Sequence, residues 1–263
     1  SVKKILKISA WSLFVIGAML LVGFVDGDYK AITCTSPEIN IDKSNGHGFV
    51  TEELVLEEMR NMGYSFTNQL MGDIEVDRIE KSLLNMPGIK NAEVFKFNSG
   101  VVKIDITQRK PIARVIMKGG LISFYLDETG EKMPLSEHYV AKVPIFNGEI
   151  KEGRNGYSIK ELYENDSLKA ISELDDIYEV AQLFEKNKFM SAQIVQIYFN
   201  QDQEMEMIPR VGNQRILFGD SKDADIKFKK ITRFYTEVIN PKELNLYDTL
   251  NSKYINQIIC SKR

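Results

Sequence analysis

A chain of 263 residues with 34 Lys and Arg against 37 Asp and Glu is long enough for two domains, each with its own core. It is too evenly charged to offer the clustered cations that nucleic acid or an anionic lipid surface requires. Two histidines and two cysteines leave little from which to build a metal centre.

The first element is an uncharged run, Ile8 to Val25, behind Lys3, Lys4 and Lys7 and ahead of Asp26 and Asp28. At about 1.5 Å per residue a helix over this run covers roughly 27 Å, close to the hydrocarbon thickness of a bilayer. Leu, Ile, Val and Phe dominate it, each favouring insertion by about 0.3–0.6 kcal/mol with no charge in opposition. The pattern predicts a cytoplasmic tail over 1–7, a transmembrane helix over 8–25 and an extracytoplasmic remainder, because the lysines lie on the inner side. A cleaved signal peptide has a similar basic start, but its apolar stretch is about 7–15 residues and ends in an A-x-A-like site, which Val25-Asp26-Gly27 does not match. An oxidising exterior permits a disulfide between Cys34 and Cys260; the other reading is that both pack as small apolar groups.

After a polar connector, Phe49-Val50-Thr51-Glu52-Glu53-Leu54-Val55 reads as a helix start. Thr51 is the N-cap, two glutamates face the helix dipole, and Val50 is placed to pack on Val55. Leu56, Met59 and Met62 extend the apolar face to Gly63. Val76, Ile79 and Leu83 predict a second helix, stopped by Pro87-Gly88. The period then changes: Ala92 to Phe97 and Val102 to Ile106 flank a turn at Asn98-Ser99-Gly100, a hairpin with one buried face. With an extended piece near Ile39 to Ile41, the order strand, helix, helix, strand, strand makes a compact α+β module, assigned to 26–112.

From Arg109-Lys110-Pro111 the pattern turns mostly β and predicts a second domain over 113–263. Strands are expected at Ile122 to Leu126, Val143 to Gly148, Ile194 to Phe199, Met205 to Ile208 and Arg215 to Phe218. Two helices interrupt them, one carrying Leu168, Ile171, Leu174, Tyr178, Ala181 and Phe184, the other Phe228, Ile231, Phe234, Tyr235 and Val238. Lys227, Lys229 and Lys230 read as a solvated helix face, and Lys253 to Cys260 as a closing strand.

Nothing along the chain points to catalysis, a cofactor or a metal. His47 lies in the loop Asn45-Gly46-His47-Gly48, and neither it nor His138 has a plausible local partner. There is no H-E-x-x-H, C-x-x-C, G-x-S-x-G or S-x-x-K motif, and Thr51 occupies the third glycine position of a G-x-G-x-x-G. Asp175 and Asp176 are neighbours on a helix, face different ways, and read as a wet surface.

The order of features resembles the FtsQ/DivIB family of bacterial cell-division proteins, with a first module similar to a POTRA domain. The most specific stretch is Val76 to Val115. It ends in Gln108-Arg109-Lys110-Pro111-Ile112-Ala113, similar to the family's E-R-x-P-x-A signature with Gln108 in the place of Glu. Tyr125-Leu126-Asp127-Glu128-Thr129-Gly130 resembles the family's L-D-x-x-G hairpin, Val143 to Gly148 its L-P-x-L-x-G segment, and Thr249 to Ile258 its closing D-x-R-Y strand, with Asn251 in the acidic position and Lys253 in the arginine position. The resemblance implies an inner-membrane protein with a periplasmic bulk at the division septum. It implies a non-enzymatic divisome scaffold that binds small coiled-coil division proteins of the FtsB/DivIC and FtsL type, and no nucleic acid or small-molecule substrate.

The mode of binding expected from physical grounds is strand addition at the end of the sheet, where unpaired backbone groups await a partner. Lys253, Tyr254, Ile255, Asn256, Gln257, Ile258 and Ile259 are the candidate partner-binding residues; the other reading of this run is an ordinary closing strand. Two alternatives stay open, a POTRA-containing secretion or assembly factor and a membrane-anchored extracytoplasmic enzyme.

Overall fold

The computed structural model describes residues 11–17, 19, 32–44, 46, 48–151, 159–165, 167 and 172–263. Residues 11–17 are helical, and the rest of the apolar run lies outside the described residues, as does His47. Among the described residues no helix is long and apolar enough to cross a membrane. The chain divides into two compact units, Ser1–Gln108 and Arg109–Arg263.

In the first unit Thr51 caps α1 (Glu52–Asn61) as its sequence requires, its hydroxyl accepting from Leu54 N at 3.3 Å. Val55 and Met59 are buried along its inner face, and Val50 is buried just ahead of it. A short turn of tight helix (Met71–Asp73) leads to α2 (Val76–Leu84), which buries Ile79 and Leu83 and ends before Pro87. Strands β2 (Ile89–Lys96) and β3 (Val102–Gln108) form the expected hairpin, with Val102, Ile104 and Ile106 facing the core. The extended piece is β1 (Glu38–Asp42), which joins the outer side of β3 in parallel, giving the order β1-β3-β2. Gly100 closes the hairpin at φ +82°, and Thr33 O lies 2.6 Å from where its Cβ would be. Only glycine admits the 32–35 segment there.

Among the described residues the second unit is one nine-stranded mixed sheet. Its strands are β4 (Pro111–Ile116), β5 (Ser123–Asp127), β6 (Lys132–Pro134), β7 (Ile145–Gly148), β8 (Ile194–Phe199), β9 (Met205–Pro209), β10 (Arg215–Gly219), β11 (Tyr247–Asn251) and β12 (Ile259–Lys262). Their order across the sheet is β12-β11-β10-β9-β8-β7-β4-β5-β6. Neighbours are mostly antiparallel, but β4 with β7, β7 with β8, and β10 with β11 are parallel. A parallel pair needs a long crossover, and two of these crossovers carry helices. The helices are α3 (Ile159–Glu164), α4 (Leu174–Lys186) and α5 (Lys188–Gln193) before β8, and α6 (Ala224–Arg233) before β11.

Four helices among the described residues of this unit replace the two expected. Asn187 accounts for one: it leaves helical geometry after α4 and caps α5, its side chain accepting from Met190 N at 3.1 Å. Leu168 and Ile171 lie outside the described residues. After α6 the chain widens into one π-turn at Phe234–Val238, Ile239 N reaching back to Phe234 O. Phe184, Phe218 and Phe228 meet edge to face in the core, at centroid distances of 4.9 and 5.7 Å.

Two expectations about charge fail. Asp175 is buried, and Asp176 accepts a hydrogen bond from Ser221 Oγ. Of the three lysines on α6 only Lys229 is exposed, and it pairs with Asp225; Lys230 is half-buried and Lys227 is 4% exposed. Both cysteines are free thiols, each pushed up in pKa by burial.

Candidate functional site

A sheet that does not close on itself leaves two rows of backbone donors and acceptors, and these two edges differ in chemistry. At one end, β6 is only three residues long, begins with Lys132 and ends on Pro134. Lys132 lies over the Phe124 ring, 5.5 Å from its centroid. A short strand with a lysine and a proline is how a sheet blunts an edge. At the other end, β12 is four residues long, carries Lys262 but no proline and, among the described residues, pairs on one side only, with β11.

The direction of the free groups follows from the ladder. Arg263 N donates to Leu246 O at 3.0 Å, so position 263 faces β11. On the far side of β11, Ser252 N donates to Leu217 O, which turns Thr249 and Asn251 toward β12, opposite Ser261 and Ile259. By alternation the backbone N–H and C=O of Cys260 and Lys262 point outward. The Cys260 side chain packs against the core margin, leaving Ile259, 44% exposed, and Ser261 on the other face.

The closing strand therefore lies later in the chain than its sequence suggests. Of the candidate residues only Ile259 is in a strand; Lys253, Tyr254, Ile255, Asn256, Gln257 and Ile258 form the loop that connects β11 to β12. The reason is competition for backbone carbonyls. Lys230 Nζ donates to Ser252 O at 3.1 Å, to Gln257 O at 3.2 Å and also to Tyr254 O, drawing the segment into a turn. Lys253 is half-buried and ion-paired with Glu204, while Tyr254 and Ile255 are 51% and 53% exposed.

The signature residues are structural. Gln108, 2% exposed, accepts from Val50 N at 2.9 Å through Oε1 and donates through Nε2 to Asp42 O at 3.1 Å. Both roles need an amide. Arg109 donates to the buried carboxylate of Asp127 at 2.7 Å and also to the carbonyls of Glu131 and Lys132. The other Asp127 oxygen accepts from Thr129 N, Thr129 Oγ1 and Glu131 N, folding the hairpin turn. The R-x-P and L-D-x-x-G motifs are thus two halves of one charge-assisted network.

Residues 110–261 match the family model described as FtsQ/DivIB, C-terminal related, and residues 32–107 match that of the POTRA-like domain. The chain belongs to the FtsQ/DivIB family. A search of curated proteins finds no match. FtsQ/DivIB proteins are cell-division scaffolds, so what the structure has to supply is a surface for protein partners. Among the described residues of this FtsQ/DivIB chain, no group of His, Cys, Asp and Glu side chains stands close enough to hold a metal ion. Residue patterns missed parts of this edge: β11 as a strand separate from β12, the outward position of Lys262, and the reach of Lys230 to the β11–β12 loop. The alternating run Thr249-Leu250-Asn251, ahead of the predicted strand, is the signal from which β11 was readable.

Proposed function

We propose that this FtsQ/DivIB protein is a non-enzymatic divisome scaffold, anchored by one span over residues 8–25 with its bulk outside the cytoplasmic membrane at the septum. Its two units correspond to the POTRA-like domain and the C-terminal β domain. It binds extracytoplasmic segments of FtsB/DivIC- and FtsL-type proteins by accepting one extended strand along β12. The observation that carries this reading is the contrast between the edge β6, closed by Pro134, and the edge β12, which has no proline and leaves the backbone groups of Cys260 and Lys262 pointing outward. Main-chain pairing to Cys260 and Lys262 supplies affinity, and the exposed side chains of Tyr254, Ile255 and Ile259 supply selectivity.

The test is capture of the host's FtsB/DivIC-type protein by the full chain in nanodiscs. Lys262→Pro removes an outward N–H without touching the ladder to β11, and capture is expected to be lost while the melting temperature holds. Capture at the wild-type level by a folded Lys262→Pro protein refutes strand addition. A fluorescent fusion at the N-terminus tests the cellular role: mid-cell bands and filamentation on depletion support it, and uniform envelope signal with normal division refutes it.

A further inference from the structure

Resting on that reading, we infer that Lys230 is a positioning residue of the docking surface: it fastens the loop Ser252–Ile258 so that Tyr254 and Ile255 stand ready beside the open edge for an incoming partner strand. The loop sequence, Tyr254-Ile255-Asn256-Gln257-Ile258, has the composition of a strand, yet the chain turns at Tyr254 to Asn256. An ammonium has three protons, and here each has a backbone carbonyl: Ser252 O, Tyr254 O and Gln257 O. These carbonyls span the loop from its first residue almost to its last.

The geometry separates Lys230 from its neighbour one turn earlier. Lys227 holds the corner between β10 and α6, donating to Asp220 O at 2.9 Å and Asp220 Oδ1 at 2.8 Å over the Phe218 ring. Lys230 reaches the other way, across 22 residues or more of sequence, to the β11–β12 connection. Its partners are neutral carbonyls, so the bond fixes a shape rather than neutralising a charge. Burial, and then the charge of Lys227, push the Lys230 ammonium below the usual lysine range. A loop held before the partner arrives spares the complex the entropy of ordering it.

The experiment measures affinity and association rate of the full chain in nanodiscs for the extracytoplasmic region of the host's FtsB/DivIC-type protein, with amide hydrogen exchange alongside. Lys230→Met keeps the apolar stem and removes the donors. It is expected to weaken binding about tenfold, mainly through slower association, since preorganisation is what is lost. Exchange should accelerate at 253–258 and stay at the wild-type rate in β11. Lys230→Arg, which keeps donors in place, should recover most of the affinity. Ile255→Ser should weaken binding in the wild type and less so in the Lys230→Met background, because both changes act through one loop. Wild-type affinity for Lys230→Met while Lys262→Pro abolishes binding overturns the role of Lys230 and leaves strand addition standing. Full additivity of Lys230→Met and Ile255→Ser also overturns it. Undiminished binding by Lys262→Pro overturns strand addition itself, and the inference with it.

Discussion

Replacing Gln108 by the glutamate usual in its signature should destabilise this chain. The side chain is 2% exposed and serves two masters: its oxygen accepts from Val50 N and its nitrogen donates to Asp42 O. A carboxylate keeps the first bond and turns the second into an oxygen facing an oxygen. The lost bond costs about 0.5–1.5 kcal/mol, and the uncompensated buried acceptors about 1–3 more, so roughly 2–4 kcal/mol at neutral pH. Protonation restores a donor, so the carboxyl of folded Gln108→Glu titrates above its ordinary value of about 4.3. With a folded pKa above the unfolded one, the penalty is small below about pH 4 and grows as pH rises through the window between the two values. Hydrogen exchange at the β3 amides reads the first unit by itself. At pH 7 protection relative to wild type should fall roughly 30- to 900-fold, since about 1.36 kcal/mol is a factor of ten, and the gap should narrow toward pH 4. Equal protection in variant and wild type at pH 7, or a deficit unchanged with pH, refutes the two-bond account of Gln108.

Arg109→Met leaves the buried Asp127 carboxylate with only its turn donors and should cost about 2–3 kcal/mol, read as lowered urea resistance of the second unit. Gly148→Ala places a methyl 2.3 Å from Phe199 O at φ +102° and should cost about 3–5 kcal/mol, against about 1–2 kcal/mol for Gly63→Ala, where φ is +90° and no atom lies within 4 Å; differential scanning calorimetry compares the pair. Glu173 is buried, and that burial raises its pKa, outweighing the bond from Lys151 N. An acid whose folded pKa is raised loses stability as pH climbs from its unfolded value through its folded one, so Glu173→Gln should raise the melting temperature at pH 7 and lose that advantage near pH 4.

Much of the first unit was legible because its signals are local. Thr51 caps the helix it precedes, and Val102, Ile104 and Ile106 alternate as a half-buried strand must. The Pro87-Gly88 stop and the Asn98-Ser99-Gly100 turn act within a few residues of where they stand. The division between the units was less sharp: it falls at Gln108/Arg109, ahead of the expected 112/113, because Pro111–Ile116 already belongs to the large sheet. The lysines of α6 show where local reading stops. Charge and helical spacing place Lys227 and Lys230 on a wet face, but their partners arrive from elsewhere in the chain.

By itself the sequence determined the class of each domain, the family and the absence of a recognisable catalytic motif, since period, turn chemistry and motif order are all written in adjacent residues. Only the tertiary structure decided which of the two sheet edges is blunted and which is open. It also decided that the β-prone run from Tyr254 forms a loop, and that Ile259–Lys262 is the strand. The edges follow from strand order, which pairs segments far apart in sequence, and the loop goes with the bonds of Lys230 to the carbonyls of Ser252, Tyr254 and Gln257; a backbone carbonyl carries no mark in the sequence of the donor that will claim it.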